Sequence, residues 1–292
     1  MAGKRRKPDV NRTGSSKGTR TVNGVKEPVR TKHHRGRRKR KKQSKAARFL
    51  SNIILICAIA IFAVSAYKLI NIGTGYKEGR SEYKEVMDLA VQYEEGSDKF
   101  RVDFDKLEEM NSDTIGWIRF YPEPSIINYP VVQGNDNDIY LHKTFTASEN
   151  TLGAIFLDVN NSDDFSDKNS IIYGHRMKDG SMFRKLEEYQ EKSFWEENPY
   201  FYIYTPDGKE MTYHIYSVGI VSDTAKTYTL SFANDSEFQS YIDYTMSTAD
   251  YETGVEVTTD DQIITLSTCT SAGDSYRFVV HGVKIREAYL ED

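Results

Sequence analysis

QIITLSTCTSAGDSYRFVVHGVKI, residues 262–285, consists of an apolar stretch, a polar loop and a second apolar stretch. Segments 262–267 and 276–285 carry the β-branched and aromatic residues of strands, and the seven residues TSAGDSY lead from Cys269 into the second strand. Antiparallel pairing across that loop would bring Arg277, at the start of one strand, beside Cys269, at the tip of the other. A thiol at a strand end projects into a groove instead of packed core. Main-chain N–H groups just after it, starting with Thr270, can point at an oxyanion. An arginine alongside can favour the thiolate and donate to a carbonyl oxygen as negative charge develops on it. A buried inert cysteine and an arginine in a surface ion pair are the structural alternatives at these two positions.

Upstream of this pair, the chain after Asn111 is a series of short apolar runs separated by Gly, Pro, Asn and Asp. The runs predict strands at 115–120, 128–133, 154–158, 170–173, 200–205 and 212–221, besides the two already quoted. Pro206, Asp207 and Gly208 make the clearest hairpin turn. Many short strands with few long helices predict a mainly β fold, a closed barrel or sandwich, and not alternating βαβ units. Two helical insertions are legible, at 182–197 and at 236–246, the latter placing Phe238, Tyr241, Ile242 and Thr245 on one face. Nearer the N-terminus, Tyr83, Val86, Met87, Ala90 and Val91 fall at helical spacing within 76–93, and a second short helix is expected at 104–110.

The formal net charge of −4 hides a sharp asymmetry. Residues 1–48 carry +17, whereas residues 73–292 carry −22. Between them lies FLSNIILICAIAIFAVSAYKLINI, residues 49–72, whose only charge is Lys68. Such a run is long enough to span a bilayer, and the basic flank before it would remain cytoplasmic, leaving residues 73–292 outside. Val64-Ser65-Ala66 also resembles a signal cleavage site, yet a basic region of this length exceeds a usual signal n-region. The tail is polar enough to predict disorder, and its basic run reads as a topology signal that meets anionic lipid, not as a nucleic-acid site. The resulting division is a basic cytoplasmic tail (1–48), an anchor (49–72), a helical lead (73–110) and a folded domain (111–292). Cys57 lies in the apolar run, so Cys269 is the one thiol beyond it, which rules out a disulfide framework there.

A thiol acyl transferase needs a proton donor for the leaving amine, a task suited to histidine near neutral pH. Of His142, His175, His214 and His281, His175 stands out because IIYGH runs from a strand into a glycine and sets the imidazole at a strand mouth. His214 and His281 sit within strands and read as structural, and His142 falls in a polar stretch. No His, Cys, Asp and Glu set has metal-ligand spacing.

The segments YGHRM, TLSTCT and YRFVVHG, in that order, resemble the histidine, cysteine and arginine signatures of sortases, specifically class B. The resemblance covers about 111–285, and the helix at 236–246 is similar to the one that sets class B apart. It implies a closed eight-stranded sortase-type barrel preceded by helices, with no cofactor. It also implies a two-step reaction: a cysteine thiolate cuts a sorting signal after its Thr, holds a thioester, and passes the product to an amine of the cell-wall precursor. Carried over by position, His175, Cys269 and Arg277 would be catalytic, while Asn137, Leu141, Tyr173 and Ser267, with Thr270, would line the substrate groove. The resemblance implies sorting-signal proteins and a peptidoglycan precursor as partners, and together with the anchor and its basic flank the expectation is a monomer on the outer face of the membrane with no nucleic acid. A hydrolytic cysteine peptidase and a non-catalytic tethered adhesion module are the rival readings.

Overall fold

The computed structural model describes residues 44–93 and 100–290. The expected disorder of the basic tail therefore falls, up to residue 43, outside the described residues. By internal contacts the chain forms two units, 1–60 and 61–292. In the first, residues 45–60 are helical and exposed. They begin helix α1 (Lys45–Ala90), which among the described residues is the helix long and apolar enough to cross a membrane. The apolar run and the 76–90 segment thus share one helix, with Gly73 and Gly75 inside it. No proline breaks the helix there, and each glycine costs only about 1 kcal/mol relative to alanine.

In the second unit, Gly79, Tyr83, Val86 and Ala90 are the buried residues of α1, at steps of four and three. A small hairpin comes next, β1 (Val91–Tyr93) with β2 (Phe100–Val102), then α2 (Phe104–Met110), whose N-terminus is capped by the Asp103 carboxylate accepting from Lys106 N. The barrel begins with β3 (Thr114–Phe120) and β4 (Asn128–Val132), a one-turn helix α3 (Ile139–His142), β5 (Ile155–Leu157) and β6 (Asn169–Tyr173). It continues through α4 (Lys192–Glu197), β7 (Tyr200–Tyr204), β8 (Lys209–Ser222), α5 (Asp235–Ser247), β9 (Ile263–Cys269) and β10 (Tyr276–Tyr289). The eight strands close in the order β10-β8-β7-β3-β4-β5-β6-β9. All neighbours are antiparallel except β4 with β5 and β6 with β9.

The predicted strands are the eight barrel strands, and α5 buries the face expected of it: Phe238, Tyr241, Ile242 and Thr245. The 182–197 insertion differs from the single helix expected. It is a 3-10 helix over Phe183–Gln190 followed by α4, with extended backbone at Glu191 between them. Its buried residues, Phe183, Leu186 and Tyr189, recur at steps of three, the repeat of a 3-10 helix.

Close packing inside the barrel makes Gly282 of β10 a sensitive position. A Cβ added there would lie 2.4 Å from Phe201 Cε1 and 3.1 Å from Tyr213 Cβ. Phe201 cannot give way easily, being fully buried and stacked on Phe120 at 5.3 Å and on Tyr213 at 5.1 Å. Gly282→Ala is expected to destabilise by roughly 1–3 kcal/mol, the cost of overpacking a filled core. Calorimetry should read a fall in melting temperature of about 3–10 °C; an unchanged transition would show that the aromatic stack yields.

Candidate functional site

Cys269 is the last residue of β9, and the six residues before it are buried while it is exposed. The ladder between β9 and β10 opens with Arg277 opposite Cys269, so the register places the guanidinium-bearing residue beside the thiol as the loop length predicts. On the other side of β9, β6 runs parallel with Tyr173 opposite Ser267, and Gly174 N continues the ladder to Ser267 O at 3.1 Å. Two residues beyond that pair on each chain segment stand His175 and Cys269, and both line the same groove. Gly174 cannot be larger: a Cβ there would lie 2.5 Å from Ile155 Cδ1 and 2.7 Å from Phe183 Cδ2.

His175 Nε2 lies 2.7 Å from the Leu141 carbonyl oxygen. A carbonyl only accepts, so Nε2 carries the hydrogen and Nδ1 of the neutral ring keeps its lone pair. Arg277 Nη1 donates to the carbonyls of Asp274 at 2.5 Å and Tyr276 at 2.9 Å. The side chain is thereby held over its own loop with the remaining N–H groups of the fork available.

A groove of about 270 Å³ gathers these groups, lined by Asn137, Leu141, Tyr173, His175, Ser267, Cys269 and Arg277 among others. Seven of the eight positions singled out in the sequence therefore meet in one place. Thr270 lies outside the lining: β9 ends one residue earlier, and the Thr270 hydroxyl turns back to accept from Ala272 N at 3.4 Å.

Asn137 is fixed at both ends of its amide, donating to Asp158 Oδ2 at 2.9 Å and accepting from Val159 N at 2.9 Å. Asp158 Oδ2 also accepts from the Tyr173 hydroxyl at 3.0 Å. Burial first, and the Asp158 carboxylate second, push the Tyr173 phenol far up, so it stays a neutral donor. Its ring stacks against Tyr228 at 6.4 Å, and Tyr228 Oη shares a hydrogen bond with Ser267 Oγ at 2.9 Å. Burial raises the Tyr228 phenol too, with the Ser267 hydrogen bond and then Arg277 opposing.

Asp158 and Tyr228 were not legible as site residues. A carboxylate closing an apolar strand was the available signal for Asp158, and the short 3-10 turn Lys226–Tyr228 gave none for Tyr228. The other histidines sit elsewhere. His281 is fully buried with Nδ1 2.9 Å from Thr265 Oγ1, and burial pushes its pKa down to about 3. His214 packs between Trp195 and Tyr200, where burial lowers its pKa, and His142 closes α3. Among the described residues no group of three or more His, Cys, Asp and Glu is placed to hold a metal.

An exposed thiol at a strand end, an imidazole in the same groove and an arginine across the ladder can together perform nucleophilic acyl transfer on a β-barrel. The Sortase domain family matches residues 122–285, and the chain belongs to that family of cysteine transpeptidases. Within it, the chain is a class B sortase. It is 30% identical to Sortase B of Listeria monocytogenes over 80% of this chain and 96% of the relative. It is 32% identical to Sortase B of Staphylococcus aureus over 77% and 91% of the two chains. The solved structure of sortase B from B. anthracis superimposes with a TM-score of 0.65 at 32% identity, covering 74% of this chain and 100% of that one. Sortases act in general on proteins bearing sorting signals and on amine acceptors.

Proposed function

We propose that this class B sortase is anchored in the cell membrane by residues 49–72, cuts a sorting signal after Thr, and joins the product to an amine of peptidoglycan or its precursor. The observation that carries the reading is the meeting of Cys269, Arg277 and His175 at one groove. In the first step the Cys269 thiol proton passes to His175 Nδ1, Sγ attacks the Thr carbonyl carbon, and Arg277 donates to the oxygen as it becomes negative. The C–N bond then breaks, protonated His175 gives its Nδ1 proton to the departing amine, and a thioester remains. In the second step the acceptor amine attacks the thioester, His175 Nδ1 takes its proton, and the C–S bond breaks to return the thiolate. Asn137, Leu141, Tyr173 and Ser267 form walls for the signal, with Asp158 and Tyr228 holding them.

The apolar run within α1 and the +17 charge of residues 1–48 support a single-pass placement, with the tail cytoplasmic and in contact with lipid. The barrel then works outside, as a monomer. Full-length protein in detergent, incubated with a panel of Thr-containing signal peptides and an oligoglycine or diamine acceptor, tests this by mass spectrometry. Cleavage with amide formation is expected. Cleavage yielding only the free acid would identify a hydrolase, and no cleavage of any peptide would overturn the reading.

A further inference from the structure

Gly153 has φ +61°, and its bare Cα lies against the ring of His175. A Cβ there would sit 2.8 Å from His175 Cδ2, 2.7 Å from the Tyr140 carbonyl oxygen and 3.0 Å from that of Leu141. The imidazole is thus held between the Leu141 carbonyl, which takes its Nε2–H, and a residue that must lack a side chain. Gly153 is itself held from behind. Its carbonyl accepts the phenol of Tyr83, on α1, at 2.7 Å, and the same oxygen of Tyr83 accepts from Phe145 N at 3.2 Å. One hydroxyl therefore ties together both ends of segment 145–153.

Further bonds brace the same segment against the same turns of α1. Glu82 accepts from Thr144 Oγ1 at 2.8 Å and Thr146 N at 2.9 Å, and Asn150 Nδ2 donates to the Gly75 carbonyl at 2.9 Å. Gly79 permits the approach, since a Cβ there would lie 2.9 Å from Leu152 Cδ2. Tyr83 is buried, and burial followed by the Glu82 charge raises its phenol well above the usual range, which keeps the donor protonated.

We infer that Tyr83 is a positioning residue for the transpeptidation: through the Gly153 carbonyl it sets the place of the His175 ring against the Leu141 carbonyl that holds its tautomer. The inference rests on the reading of His175 as the proton-transfer group. It gives the 75–83 portion of α1 a part in the chemistry beyond its share of the core.

The test uses full-length protein in detergent and compares Tyr83→Phe with Tyr189→Phe. Tyr189 is another buried tyrosine, whose hydroxyl donates to the Asn198 carbonyl at 2.8 Å and which is absent from the groove lining. Ring nitrogen NMR of His175 across pH is read first, followed by kcat and KM on the signal peptide cleaved fastest. Tyr83→Phe is expected to move the His175 tautomer ratio and the His175 limb of the pH profile, and to lower kcat roughly tenfold with KM within about twofold. Tyr189→Phe should lower the melting temperature comparably while leaving ring signals and kcat at wild-type values. Gly153→Ala, which drives a methyl into the ring, should lower kcat roughly a hundredfold and serves if Tyr83→Phe does not fold. Identical ring signals or identical kcat in the two tyrosine variants, or wild-type turnover in Gly153→Ala, would overturn the inference. His175→Ala separates the two failures. Wild-type turnover in that variant removes the reading of His175 and this inference with it, whereas an inactive His175→Ala beside an unaffected Tyr83→Phe removes the role of Tyr83 alone.

Discussion

Cys269→Ala is expected to abolish peptide cleavage and amide transfer together, with a loss on the order of 10⁴-fold or more, while the melting temperature stays within about 2 °C. Both halves stem from where β9 ends. The strand's apolar and hydroxyl side chains up to Thr268 are buried, whereas Cys269 is exposed, so removing its sulfur opens no cavity. Catalysis has no such margin. The proposed path passes through a bond to that sulfur in both steps, and a methyl group cannot form it. Cys57, also exposed but within the apolar helix, supplies the internal control: Cys57→Ser should retain full turnover. Mass spectrometry of the wild-type reaction should capture a thioester adduct on the peptide containing Cys269, and this adduct should be missing from the alanine variant. Cleavage by Cys269→Ala within tenfold of wild type would sink the nucleophile assignment, because water or another side chain would then be carrying the acyl transfer.

How far the chain could be read before its fold was known differs between elements for physical reasons. The eight barrel strands announced themselves because each contains an apolar run bounded by turn residues, even β8 and β10 with 14 residues each. Helix α5 was legible because its buried face repeats at steps of three and four. The 3-10 helix at Phe183–Gln190 misled, since apolar residues at steps of three also fit the α-helical template. Strands β1 and β2 have three residues each, too few to display alternation.

The site shows the same division. Cys269, Arg277 and His175 each stand at a strand terminus, where chemistry and local pattern coincide in the sequence. Asp158, Tyr228, Gly153 and Tyr83 act through partners far along the chain, as in the Tyr83 bond to Gly153 across 70 positions. Only the folding of the barrel, and for Tyr83 the packing of α1, makes them neighbours. Thr270, which follows the end of β9 at Cys269, is absent from the groove lining for a related reason: register decides which residue ends a strand.

Arg277→Lys is expected to cut kcat by roughly 10²–10³-fold with KM changed by less than about threefold, equivalent to about 3–4 kcal/mol of lost transition-state stabilisation. Two jobs are available to a cation beside Cys269, and the substitution separates them. Lysine preserves the charge, so the electrostatic pull on the thiolate persists. What it loses is the rigid fork, in which one nitrogen, Nη1, can hold the Asp274 and Tyr276 carbonyls while the other N–H groups of this groove-lining residue are left to donate. An ammonium on a flexible stem cannot occupy both places, and any order it gains at the oxyanion must come from releasing the loop. Thioester formation from signal peptide should therefore slow by the full factor in Arg277→Lys even though a positive charge is kept opposite Cys269. Arg277→Met, lacking charge and fork alike, should slow acylation at least as much. If lysine restores acylation to within threefold of wild type, charge alone accounts for the arginine, and the oxyanion must be held by main-chain N–H groups instead.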